Sequence, residues 1–593
     1  MFVTGLLQWD VIDIRWEYFR VIQATHIIVS IVVSIFIMIP FVNYHVYQHV
    51  MIDKRGSKNG WFFGAVLLLI TISGFYLFLV GNRGGDTYGS YSFYIHLYGS
   101  FLLLFLLFFH TRKPKMYYLV PILLALTIFN SSPMQAGETK LSSLKIEGNL
   151  SKYHEQDWTN SAKCKSCHSE IFNQWADSNH KNLVESNPYY MVMEGLAGEV
   201  EGDDFREWCM SCHNPSAVTT GQKKTGHRMD ENLMSNSLFE KGAKTLVDDF
   251  KTHEKPRLEE GVACVTCHRI TKAESKGDAS YTLDLRNRER YVFEDSKSNV
   301  GQWLGEKFIN SNPDIHKKSY SNELYKKSSY CASCHDETSP LTGKKVVSTF
   351  KEWEKSPYND PKNPEEHKDC IDCHMTYLKD GKFAPLRGTS TDGGKIKKDV
   401  KVHYFSGSNH FLSGLKSKEH EEQTVQLLRT SAKLDVEMKD NQLLVGVKNV
   451  GAGHHLPTGV ADFRELWLDI TLKDSDGKVV LSSGKLKDDG NLGEDARPFM
   501  KVFGDKDGKP VGLLFWRYET LLSDTRIPAG ERRVESYDIQ GSEELKYPLS
   551  VVVKLNFRIY PQWVTDAVQK TNIQLPSPGV IELNKIEKSF QKK

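Results

Sequence analysis

The sequence has almost no net charge: 76 Lys and Arg against 74 Asp and Glu leave +2. With no excess of basic residues, it offers nothing for a phosphate backbone to bind, and no nucleic-acid partner is expected. There is no cysteine to spare. All ten belong to one repeated motif, which leaves none for a structural disulfide. Beyond about residue 130 there is no long hydrophobic run, whereas the first 130 residues are intensely apolar. At 593 residues the chain is too long for a single core and suggests three or four domains.

The motif is C-x-x-C-H: Cys164, Cys167 and His168; Cys209, Cys212 and His213; Cys264, Cys267 and His268; Cys331, Cys334 and His335; Cys370, Cys373 and His374. From composition alone, roughly 0.006 such motifs would arise by chance in a chain of this length. Zinc knuckles or a disulfide framework leave the five following histidines unexplained. C-x-x-C-H is the attachment signal of c-type haem: the thiols form thioethers to the vinyl groups, and the histidine becomes the proximal iron ligand. Five covalent c-type haems are expected.

Three apolar runs, 21–42, 61–80 and 91–109, have the length of membrane-spanning helices. A shorter run, 116–129, reads either as a fourth span or as an internal signal peptide cleaved near 133–136. Met134 suits cleavage poorly, which favours the span. Lys54, Arg55 and Lys58 follow the first run, Arg112, Lys113 and Lys115 follow the third, and the loop between the second and third has Arg83 alone. The positive-inside rule therefore puts both chain ends outside. This agrees with the attachment of c-type haem on the outer face of the cytoplasmic membrane. The predicted location is that membrane, multi-pass, with the haem region on the periplasmic side.

The predicted architecture is an α-helical membrane bundle over 1–135, then a pentahaem cytochrome c domain over 136–428, mostly helical and irregular with little sheet. A β-sandwich follows over 429–575, and a polar, poorly ordered tail over 576–593. The sandwich rests on period-two alternation through Val551, Val553, Leu555, Phe557 and Ile559, and on a hairpin pattern in which 466–472 turns through Asp474-Ser-Asp-Gly477 into 478–481.

Each haem iron also needs a decision at its sixth position. Two histidines make a low-spin carrier; an open position makes a site for chemistry. Apart from the proximal five and five in or beside the apolar runs, eleven histidines remain: His154, His180, His227, His253, His316, His367, His403, His410, His420, His454 and His455. The supply suffices for five distal ligands.

Several segments resemble the cytochrome c-554 family of multihaem proteins, over roughly residues 155–560. Cys164 through Trp175, Ser178 and His180 is similar to that family's opening, and the resemblance implies that His180 is a haem ligand. Thr349-Phe-Lys-Glu-Trp353 looks like a second family element. His403-Tyr-Phe-Ser-Gly-Ser-Asn-His410 resembles a loop that donates two ligands. Gly453-His454-His455-Leu-Pro457-Thr-Gly459 resembles the turn opening the family's C-terminal sandwich, whose first histidine reaches a haem. His316, fifteen residues before Cys331, stands where related proteins often carry a ligand. His227 and His253 are reserves. Which ligand serves which haem is not readable from sequence.

Histidines inside a span are costly and mark function by default. His26 and His96 each lie five residues into their runs, at matching depth; His110 ends the third run, and His45 and His49 follow the first. His96 and His110 are 14 residues apart, nearly four turns and about 21 Å on one helix face. The arrangement resembles quinone-reactive cytochromes b, implying one or two b-type haems, with His26 and His96 near the outer face and His45 or His49 with His110 near the inner. On an ideal helix His26 and His45 do not share a face, a misfit that a kink at Pro40 would relieve. The bland alternative is that these histidines lie at headgroup level.

Three functions are consistent with this reading. The favoured one passes electrons from membrane quinol through five c-type haems to a periplasmic or surface electron-transfer protein, which would make the chain a quinol dehydrogenase. The others are a reductase or oxidase of a small nitrogen or sulfur compound at an open haem, and a passive anchored relay without b-type haem.

Replacing Cys264 and Cys267 with Ala is expected to lower the covalent haem count by one, read from the intact mass of the purified protein. An unchanged count would refute haem attachment at that motif.

Overall fold

The computed structural model describes residues 15–39, 42–43, 47, 51, 58–80, 87–110, 137–138, 143–146, 152–184, 186–221, 260–539, 545–570 and 576–592. The run 116–129, Pro40, the basic residues Lys54, Arg55 and 112–115, and His45, His49, His227 and His253 lie outside the described residues, as does the side chain of His110. The chain divides into two compact units. One gathers the N-terminal helices with Arg286–Ser321 and Thr389–Lys397; the other holds the remainder.

In the first unit, helices Trp16–Val33, Lys58–Leu79 and Thr87–His110 occupy the three apolar runs. A π-helical turn, Ser34–Met38, continues the first. Trp16–Phe36, Trp61–Leu79 and Tyr88–Leu106 are long and apolar enough to cross a membrane. Their large side chains, Phe36, Leu69 and Phe105 among them, point outward rather than into the protein, as expected of helices whose exterior is lipid. Glycines bring the second and third helices close: a Cβ on Gly99 would lie 2.9 Å from Ile70, and one on Gly74 2.8 Å from the His96 ring. Arg286–Ser321, which lies between the third and fourth motifs in sequence, joins this unit because Tyr291 and Phe308 bury their rings in one cluster with Trp16, Ala24 and Phe78.

In the second unit the motif region is built of short helices, joined by strands of two to four residues. From Ala432 onward the chain is mostly strand. Ala432–Lys439, Gln442–Asn449 and Arg532–Asp538 form a three-stranded antiparallel sheet. Val479–Ser483, Glu465–Lys473, Leu549–Arg558 and Ile581–Phe590 form a four-stranded one. The predicted hairpin is present: the Asp474 carboxylate accepts from the Asp476 and Lys478 amides at 3.0 and 2.9 Å, and Gly477 supplies the left-handed residue (φ 81°). Val551, Val553, Leu555, Phe557 and Ile559 are all buried, as their alternation predicts. Leu443, Val445 and Val447 of one sheet share a core with Leu466, Leu468 and Ile470 of the other. Tyr189, Val192, Phe205 and Trp208 from the motif region enter the same core, so motif region and sheets are one folded body.

The predicted polar tail is corrected here. Ile581–Phe590 is a strand, paired along its length with Leu549–Arg558. Its polar composition misleads because it is an edge strand: Leu583 turns inward, while Lys585, Glu587 and Lys588 face water. Deleting residues 576–593 is expected to lower the urea unfolding midpoint. Losing Leu583 from the core alone costs about 2 kcal/mol, and the strand ladder adds to this. An unchanged midpoint would mean the strand is not integral to the fold.

Candidate haem sites

Each C-x-x-C-H motif lies on a helix or on a hydrogen-bonded turn that follows one, which puts the two thiols one turn apart on the same side. Four helices carry or end on one: Arg206–His213, Cys264–His268, Ser328–Cys331 and Cys370–His374. Cys164 lies in the 3-10 turn Ser161–Ser166, capped by the Asn160 side chain, which accepts from the Ala162 amide at 2.8 Å. Asp369 caps the fifth motif, forming a reciprocal box with Asp372.

One polar device occurs twice. Ser161, three residues before Cys164, is held through its amide and hydroxyl by the Glu260 carboxylate, and its oxygen accepts from the Cys264 amide at 3.2 Å. Ser328, three residues before Cys331, is held in the same way by Asp369, and its oxygen accepts from the Cys370 amide at 3.0 Å. The first and third motifs are thereby locked together, as are the fourth and fifth. In both pairs the leading thiols, Cys164 with Cys264 and Cys331 with Cys370, come into contact. Cys212 of the second motif meets Cys334 of the fourth. The Tyr330 hydroxyl donates to the Cys267 carbonyl at 2.6 Å, joining the third motif to the fourth. The fourth motif thus adjoins the second, third and fifth.

The distal positions test whether these residues fit haem iron. With each nitrogen about 2 Å from the metal, as in other imidazole–metal bonds, two axial rings stand with centroids about 6 Å apart. His180 and His335 lie at 6.1 Å, and His374 and His454 at 6.3 Å. Both spacings fit, so His180 lies at an axial distance from the fourth motif's histidine and His454 from the fifth's. His374 directs Nδ1 to the Ser406 carbonyl (2.6 Å) and His454 directs it to the His455 carbonyl (2.9 Å). That is the orienting bond that leaves Nε2 for a metal. His403 does the same with the Lys401 carbonyl (3.0 Å), and its imidazole feels the charge of His268 more than that of His168. His410 is buried, and neither ring nitrogen makes a well-formed hydrogen bond. His316 belongs to the first unit, where its ring lies 4.8 Å from Tyr320 and its amide donates to the Tyr291 hydroxyl.

Burial holds these rings neutral. It takes His180 down to about 3, with His335 and other imidazoles adding to the effect, and His213, His403 and His410 each to about 4. His213 stacks flat on Tyr190 at 4.2 Å. Glu337, half-buried beside Cys212, is pushed up to about 8 by loss of water and then by Asp278, which favours the protonated carboxyl at neutral pH.

The two remaining resemblance elements meet each other. Glu352, from the Thr349–Glu354 helix, accepts from the His455 amide (3.2 Å) and the Thr458 hydroxyl (2.6 Å), and pairs with Arg526 at 2.6 Å. It thereby fixes the turn that presents His454. On the other side, Gly261 (φ 54°) lets the backbone before Cys264 reach the His180 carbonyl: a Cβ there would lie 2.4 Å from that oxygen, and the Val262 amide donates to it at 2.9 Å.

Sequence reasoning counted His420 among the spare histidines without singling it out. It is fully buried, its Nδ1 meets the Asp177 carbonyl at 3.1 Å, and its Nε2 has no partner. Among the charged residues 416–422 it reads as surface. The available signal was helical periodicity, which puts it on one face with Gln423, Thr424 and Leu428, all buried.

A sequence profile of the cytochrome c554 and c-prime family matches residues 163–238, which contain the first two motifs. Among solved structures the chain is similar to a penta-heme cytochrome c552 from Thermochromatium tepidum, at 20% identity and a TM-score of 0.45, over 73% of this chain and 100% of that one. No curated protein matches. With its five motifs, the chain is a multihaem c-type cytochrome, an electron-transfer protein with covalently held haem.

His454→Ala is expected to convert one low-spin haem to high spin without lowering the covalent haem count. Electron paramagnetic resonance beside the intact mass would read this; an unaltered spin state would rule His454 out as a ligand.

Proposed function

We propose that the three apolar helices, with the run 116–129 as a fourth span on sequence alone, cross the cytoplasmic membrane with both chain ends outside, and that the chain takes electrons from quinol there and passes them through its c-type haems to a periplasmic or surface protein. The C-terminal sheets, read as a sandwich, act as a docking or capping module. The observation that carries the proposal is the pair His26 and His96. Their ring centroids lie 6.1 Å apart at 86°, close to the spacings of His180 with His335 and His374 with His454. They come from different helices within the same unit.

The surroundings of His96 support a ligand role. Its Nδ1 lies 2.9 Å from the Ile70 carbonyl, which orients the ring and leaves Nε2 for a metal. Gly74 supplies the room, since any side chain there would run into the ring. Polar side chains at this depth are expensive, and a bare anchor has no use for two imidazoles in contact. His26 and His96 would hold one b-type haem, which when bound supplies one-electron exchange within reach of a lipid-soluble quinol. A second haem, at His110 with His45 or His49, stays part of the proposal on sequence spacing alone.

His96→Ala is expected to abolish acid-extractable haem at this site and reduction of the c-type haems by a quinol analogue. The c-type haems should stay attached and remain reducible by dithionite. Retention of both extractable haem and quinol-dependent reduction would reduce the bundle to an anchor.

A further inference from the structure

We infer that the helix Asn299–Ser311 lies flat in the membrane–water interface, with Val300 and Trp303 inserted among the lipids. The inference rests on the membrane-spanning reading of the first unit and goes beyond it, because this helix lies between two haem motifs in sequence and is no part of the apolar runs.

Its depth follows from what it touches. The first apolar helix begins at Trp16 and the second ends at Leu79; on the proposed topology both ends emerge on the outer face. The Asn299–Ser311 helix is fastened to both. Gln23 donates to the Phe308 carbonyl at 3.2 Å and to the Ser311 hydroxyl at 2.9 Å. The Trp16 indole donates to the Arg290 carbonyl at 3.2 Å, just ahead of the helix. Phe78 meets Trp303 edge-on at 5.7 Å. The Lys307 ammonium caps the second helix through the Leu79 carbonyl at 2.8 Å. That carbonyl, in the last turn, has no intrahelical donor, and a cation there also suits the helix dipole. A helix bound to the ends of two spans at this level lies at the level of the headgroups.

Its faces fit that place. Gly301, Gly305 and Phe308 form the inner stripe; the glycines admit close contact, since a Cβ on Gly305 would lie 2.9 Å from the Phe293 carbonyl. Val300 (70% exposed) and Trp303 (43%) are neighbours on another face, with Leu304 and Lys307 a turn further on. The Lys307 ammonium lies 5.8 Å from the Trp303 ring centroid. Valine and tryptophan turned outward, with a lysine at the rim, is the composition that partitions into the interface, and tryptophan favours that depth. The apolar exterior of the second helix runs on from Leu79 to Trp303, so the surface that lipid covers on the span continues onto this helix.

The test uses the full-length protein in phosphatidylcholine vesicles containing phosphatidylcholine with a photoactivatable diazirine near the top of one acyl chain. After irradiation, trypsin releases residues 298–307 as one peptide and 59–83, from the second span, as another. Lipid adducts are expected on both, and Val300→Ser with Trp303→Gln should remove the adduct from 298–307 alone. Adducts on 59–83 with none on 298–307 would overturn the proposal and leave the spanning reading intact, pointing to a second copy or a soluble protein as the cover of this face. No adduct on either peptide would overturn the spanning reading and the proposal with it.

Discussion

A cysteine amide donating to a serine hydroxyl, itself gripped by a carboxylate, ties the haem motifs together two by two. Glu260, Ser161 and Cys264 form one such lock, and Asp369, Ser328 and Cys370 the other. Hydrogen bonds to a charged acceptor are worth about 1.5–3 kcal/mol each, and more is lost when a partner is removed and a buried group is left bare. The haems themselves are tethered through the cysteines, so fixing one cysteine's backbone against the next motif fixes the distance between redox centres. The Tyr330 hydroxyl and the Cys212–Cys334 contact extend the linkage to the remaining neighbours. The fourth motif therefore stands at a junction rather than on a single line.

The second constraint is burial of imidazole. A proton and an iron compete for the same lone pair. The His180, His213 and His403 rings, whose pKa loss of water drives down to about 3 or 4, remain neutral through the physiological range. Backbone carbonyls at Ser406, Lys401 and His455 then set which nitrogen is presented. Glu352 works one step further out: the salt bridge to Arg526 and the bonds to His455 and Thr458 hold rigid the turn that carries His454. The turn has value only if its ring arrives at the right distance from His374.

The first unit follows other rules. Its helices are apolar all round, so packing among them depends on close approach at Gly74 and Gly99 and on the few polar groups they enclose. Gln23, His26, Ser73 and His96 supply those groups, and Gln23 and His96 spend theirs on backbone carbonyls at Phe308 and Ile70. The Arg286–Ser321 segment completes this unit with aromatic surface from a distant part of the chain.

The sequence alone was sufficient for what depends on covalent chemistry or on strict periodicity. Five C-x-x-C-H motifs need no fold to be recognised, because the spacing of the thiols and the following histidine is local. The three apolar runs were legible because unbroken apolar length is itself local, and Val551 through Ile559 because burial repeats at the strand period. The tertiary structure decided what depends on distance between remote residues: His180 with His335, His454 with His374, and His26 with His96. In each pair the two rings come from different elements, and no local pattern encodes that meeting. The same reason accounts for the departures. His420 sits among charged neighbours yet is buried by the far side of its helix. The edge strand Ile581–Phe590 is too polar to look like one until the Leu549–Arg558 ladder is there to pair with it. Arg286–Ser321 belongs with the apolar helices because Tyr291 and Phe308 find their apolar surface there, more than 200 residues away in sequence.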